Sequence, residues 1–147
     1  MTQEDSRIFT IEEVEALIPR LSQIVGMQLL QQSEIERALG ELARVLGELP
    51  ESLEPRDSDP PEAARLKREL ERRMLRYESG WHEVRQMGAL IKDPQIGLLD
   101  FYGHIDGRLV HLCWRYGEDR LGYFHDLEAG YAGRRPLRGE TRRRLMN

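Results

Sequence analysis

At 147 residues, with 39% hydrophobic and 33% charged side chains and a formal charge of −4, the chain has one domain's length and more solvated surface than an average globule. Its single cysteine excludes an intramolecular disulfide framework, and no apolar run approaches the ~18 residues of a membrane span, so no membrane partner is expected. No charged start leading into an apolar segment marks secretion, and a cytoplasmic setting is expected.

The first helix is predicted over residues 10–49. Thr10 is placed to cap the amide of Glu13 while the Glu13 carboxylate reaches back, and Phe9 and Val14 form a hydrophobic staple. Apolar residues then recur at steps of four and three: Val14, Ile18, Leu21, Val25, and later Ile35, Leu39, Leu42, Leu46 and Leu49. Gln28 and Gln32 interrupt this seam, either to fix its register or because the partner helix has ended there. Pro19 predicts a kink one turn inside the helix.

Residues 50–61, PESLEPRDSDPP, are proline-rich and acidic and form the linker, expected to be mobile and open to proteases. A second helix is predicted over 61–92 from Leu70, Met74, Tyr77, Trp81, Val84, Gly88 and Ile91, with Asp93-Pro94 as its end. Joined by one linker, the two should lie antiparallel as a coiled-coil-like hairpin approaching 60 Å in length, at about 1.5 Å per residue. Trp81 is read as an anchor of the seam.

After Pro94 the hydrophobic period falls to 2, and a three-stranded antiparallel β-meander is predicted over 97–128. Asp106-Gly107 is a strong hairpin turn. It pairs His104 with Leu109, Tyr102 with His111, Asp100 with Cys113 and Leu99 with Trp114. One face of the ribbon then carries Leu99, Phe101, Val110, Leu112 and Trp114, the side the helices should cover. The other carries Asp100, Tyr102, His104, His111 and Cys113. In the third strand, Leu121–Leu127, the parity stays open: a four-residue turn puts His125 on the helix-covered face, and one more residue puts it beside Cys113. Hydrogen-bonded burial, with Glu118 as one possible partner, is the expectation for His125. Cys113 is read as a small packing residue.

The glycine-rich stretch from Ala129 to Leu137 reads as a loop packed on other backbone, opening a Gly/Arg-rich tail over 129–147. Arg134 should be held internally by Asp100, Glu118 or Asp126. Residues 1–60 hold 13 acidic and 5 basic side chains, and residues 61–147 hold 13 and 17. Arg134, Arg135, Arg138, Arg142, Arg143 and Arg144 crowd the end, but no nucleic-acid motif accompanies them, and nucleic acid is not the expected partner. The two charge halves suit a second copy of the chain.

FTIEEVEALIPRL, IKDPQIGLLDF, LVHLCWRYGE and FHDLEAGYAGRRPL together resemble an uncharacterised prokaryotic family, domain of unknown function 2203, over most of the chain. Its LCW-x-x-GE, H-x-x-x-x-G and GR-x-PL elements imply importance for Asp100, Cys113, Trp114, Glu118, His125, Gly130, Gly133 and Arg134. Phe124 stands where relatives are expected to have tryptophan, and His104 and His111 fall outside the family pattern. The resemblance implies no activity.

The sequence therefore describes a single α+β domain, residues 1–147, whose function is unknown and whose first expectation is a self-associating interaction or structural module, a homodimer, with another protein partner also open. No cofactor is expected in that reading. The alternative is a metal- or small-ligand-binding, enzyme-like site among Asp100, Cys113, Trp114, Glu118, His125 and Arg134. There Cys113, His125 and His111 are candidate ligands for zinc or another transition metal.

Overall fold

The computed structural model of the chain describes residues 7–137, so Arg138, Arg142, Arg143 and Arg144 lie outside the described residues. Helices α1 (Ile11–Leu46) and α2 (Pro61–Gln86) are followed by strands β1 (Leu90–Asp93), β2 (Leu98–Ile105), β3 (Arg108–Arg115), β4 (Tyr123–Asp126) and β5 (Arg135–Pro136). A 3-10 turn, Tyr131–Gly133, precedes β5. No described helix is long and apolar enough to cross a membrane.

Helix α1 starts as its sequence dictates: Thr10 accepts from the Glu13 amide, and the Glu13 side chain accepts from the Thr10 amide. It runs unbroken through Pro19 and stops at Gly47, in the left-handed conformation, short of the expected residue 49. Helix α2 lies antiparallel to it, since Arg20 meets Glu83, Gln28 meets Tyr77 and Gln31 meets Arg73. The polar point of the seam is a docking feature and no sign that the partner helix has ended. Gln28 is buried and donates to the Tyr77 carbonyl at 2.6 Å, its side chain filling the space a Cβ at Gly80 would need. Trp81 is buried in the seam, edge-on to Tyr77.

The expected end of the second helix at residue 92 is corrected to Gln86. Gly88, at φ +99°, turns the chain, and the Phe9 ring packs where a Cβ at Gly88 would lie. Ile91, assigned by its spacing to the helix, belongs with Leu90 to β1.

The linker is also more tied down than its composition suggests. Lys67 is 2% exposed, and its ammonium donates to the Glu54 carbonyl and to the Asp59 carboxylate.

The sheet has five antiparallel strands in the order β1-β2-β3-β4-β5, where three were expected. One short strand is added at each edge of the meander: β1 pairs with β2 through Leu90 and Asp100, and β5 pairs with β4 through Pro136 and Tyr123. The β2–β3 register is as read from the Asp106-Gly107 turn, both of whose residues have positive φ. Leu99, Phe101, Val110, Leu112 and Trp114 join Val14, Ile18, Leu21, Val25 and Trp81 in the main core. A smaller cluster, Ala38, Leu42, Ala63, Leu66 and Leu70, holds the other end of the helical pair. Burial of these side chains, at about 25 cal/mol per Å² of apolar surface, drives the helices onto one face of the sheet.

Candidate metal centre

The opposite face of the sheet gathers the reactive groups. Strand β3 pairs with β4 as His111 to His125, Leu112 to Phe124 and Cys113 to Tyr123. The turn is thus one residue longer than the four-residue reading, and His125 falls on the face of Cys113, Asp100 and His111. All four are buried. One donor atom each from Asp100, Cys113 and His125 lie within 4.8 Å of one another.

His125 is fixed at both nitrogens. Its Nδ1 lies 2.8 Å from the Asp126 carbonyl and its Nε2 2.9 Å from Asp100 Oδ2. A carbonyl only accepts, so Nδ1 carries the proton and donates it there. The Nε2 lone pair of a neutral ring then points at a carboxylate oxygen, another acceptor, and the contact is attractive only with a proton or a metal cation shared between them. Asp100 Oδ1 and both ring nitrogens of His111 are buried with no hydrogen-bond partner among the described residues. His111 Nδ1 sits 3.5 Å from Asp100 Oδ2, too long for a good bond. Burial lowers the pKa of His111, against the attraction of Asp100. Burial, with Asp100 adding to it, pushes the Cys113 thiol up to about 12. A metal bound there has to displace the thiol proton.

Arg134 reaches this face from the glycine-rich loop. Its Nε donates to Cys113 Sγ at 3.2 Å, and one terminal nitrogen donates to Glu118 at 2.6 Å. The guanidinium stacks on Tyr123, 3.9 Å from the ring centroid, with Tyr131 at 5.0 Å. Burial opposes its charge, but Glu118 and Cys113 raise its pKa above the ordinary value. Glu118 thus belongs to Arg134 and not to His125. Its carboxylate also accepts from the Arg115 amide, and its carbonyl accepts from Trp114 Nε1. Trp114, included among the candidate site residues, instead lies in the core beneath the sheet. His104 is exposed. Tyr123 and Tyr131, which flank Arg134, carried no sequence signal beyond their place in the aromatic-rich segment. The Asp126 carbonyl that orients His125 is a backbone group, which no motif reveals.

Asp100 and His125 line a half-open cavity of about 370 Å³ together with Lys92, Asp93, Leu98 and the segment 127–131.

Searches of curated proteins and of solved structures gave no match to this chain. A family model described as "Uncharacterized conserved protein (DUF2203)" matches residues 7–137, the span that holds both helices and all five strands. The chain belongs to that family of uncharacterized conserved proteins, DUF2203.

Proposed function

We propose that this protein binds a first-row transition metal, with zinc as the type case, through Asp100, Cys113 and His125 Nε2. The observation that carries the reading is the setting of His125. Its Nδ1–H is committed to a backbone carbonyl, and its Nε2 is turned towards a carboxylate and a thiol, the arrangement of histidines that ligate metals. A carboxylate, a thiolate and an imidazole suit a borderline-soft divalent ion. Around a tetrahedral ion such donors stand about 3.3–3.6 Å apart, which side-chain adjustments of about 1 Å reach from the present spacing. Arg134, donating to the sulfur, offsets thiolate charge and steadies its position.

Three protein ligands leave a fourth position, as in catalytic rather than structural sites. The cavity beside Asp100 and His125 offers room there for a water or small ligand. This enzyme-like alternative therefore moves ahead of self-association, the first expectation from the sequence. Protein purified without an affinity tag and stripped by chelator should take up one cobalt(II) ion with a sulfur-to-metal absorption band. Cys113→Ser should abolish that band, and Asp100→Asn or His125→Gln should weaken binding by at least about tenfold. The absence of a saturable band in folded protein would overturn the reading.

A second reading, self-association as a homodimer, is favoured by apolar side chains left exposed on both helices and the linker: Met27, Leu30, Leu49 and Leu75. Light scattering on a sizing column should report about twice the 17.2 kDa chain mass.

A further inference from the structure

Helix α2 shows solvent a row of four arginines, Arg65, Arg68, Arg72 and Arg76, all exposed. None of them forms an ion pair among the described residues. Steps of three and four keep them on one side, over about 16 Å of axis, away from the buried Leu66, Leu70, Trp81 and Val84. Like charges one turn apart repel, so the row is a cost to the isolated helix. Arg73, on the next face, shows the contrast: it has Glu34 and Glu69 within 3.7 Å.

The complementary row lies at the tip of the helical pair. Glu48, Glu51, Glu54 and Asp57 stand in the segment between α1 and α2, and all are exposed. They too form no ion pair among the described residues. Each row also carries one large exposed apolar side chain, Leu49 at 56% beside the acids and Leu75 at 62% beside the arginines.

We propose that these rows meet across a two-fold axis, the linker of each copy lying along α2 of the other. This rests on the homodimer reading and names its surface. In that arrangement Glu48, Glu51, Glu54 and Asp57 supply the counter-charge for Arg65, Arg68, Arg72 and Arg76. The same contact covers the exposed Leu49 and Leu75. A two-fold axis makes the contact of linker with α2 twice, as an isologous interface requires. The Lys67 contacts with Glu54 and Asp59 hold the linker in shape for it. A second copy fits better than a polyanion such as RNA, because the chain's net charge of −4 repels the latter while its acidic half supplies the counter-charge.

Charge reversal tests the surface on the full chain, with dimerisation followed by light scattering and sedimentation. Arg68→Glu with Arg72→Glu should weaken dimerisation at least tenfold, and Glu51→Arg with Glu54→Arg should do the same. Mixing the two variants should restore a dimer, since each then offers the charge the other lacks. Raised salt should weaken the wild-type dimer and leave the melting of the monomer unaffected. A wild-type monomer at tens of micromolar overturns both the surface and the homodimer reading, and RNA binding by that monomer would reassign the arginine row. A dimer indifferent to both reversals and to salt overturns this surface alone.

Discussion

At the scale of single residues, the centre is held by a few side chains each tied to a second group. Arg134 is the clearest. At 11% side-chain exposure it bonds the Cys113 sulfur and the Glu118 carboxylate from separate nitrogens and lies over the Tyr123 ring. Lysine keeps the charge but not the plane or the spacing of donors, so Arg134→Lys should lose about 1–3 kcal/mol of stability by chemical denaturation. A change within about 0.5 kcal/mol, the usual range for a surface substitution, would show the guanidinium to be no anchor. Much of this site was legible beforehand. Alternation through β2 and β3, with the Asp106-Gly107 turn, placed Asp100, His111 and Cys113 on one face. The side taken by His125 was not legible, because one residue in the turn before β4 reverses every side chain beyond it.

At the scale of elements, the helix contact depends on an unusual exchange of volume. Gly→Ala inside a helix ordinarily stabilises by about 1 kcal/mol. At Gly80 the new Cβ would stand 2.1 Å from Gln28 Oε1, forcing out the side chain that bonds the Tyr77 carbonyl. Gly80→Ala should therefore destabilise by about 1–3 kcal/mol, and in a Gln28→Ala background the same substitution should become neutral or stabilising. Equal effects in both backgrounds would separate the two residues. The linker gives a pH-dependent test. Its bond from Lys67 holds the Asp59 carboxyl below its ordinary 3.8. That contribution is present above pH 3.8 and is lost as pH falls through the lower folded-state value. Melting followed from pH 6 to 2 should show this loss in the wild type and a smaller one in Asp59→Asn. The seam and the capping box were plain in the sequence. The end of α2 was not, because Gly88 and Ile91 keep the heptad spacing, while the docking of Phe9 on Gly88 is a tertiary contact that no local pattern carries.

For the whole molecule, the division of the core into two clusters predicts two levels of stability. The main cluster joins the N-terminal half of α1, the C-terminal half of α2 and the sheet, and it includes five buried aromatic side chains, Phe9, Trp81, Phe101, Trp114 and Phe124. The distal cluster has five buried residues, two of them alanine, helped by Ile35, Leu39, Val45, Leu46, Leu53 and Met74 at its margin. Apolar burial there is far smaller, so the distal ends of α1 and α2 should open with the linker while the sheet stays folded. Amide hydrogen exchange should accordingly find residues 35–70 less protected than β2 and β3. Leu42→Ala and Leu99→Ala then make a matched pair, each removing a fully buried leucine at a cost of about 2–5 kcal/mol. Leu42→Ala should speed exchange in the distal half while protection in β2 and β3 changes little. Leu99→Ala should lower protection throughout, because its side chain belongs to the cluster that joins helices to sheet. Uniform loss in both variants would mean that the helical pair and the sheet open as one unit, and that the candidate metal centre senses the far tip of the molecule.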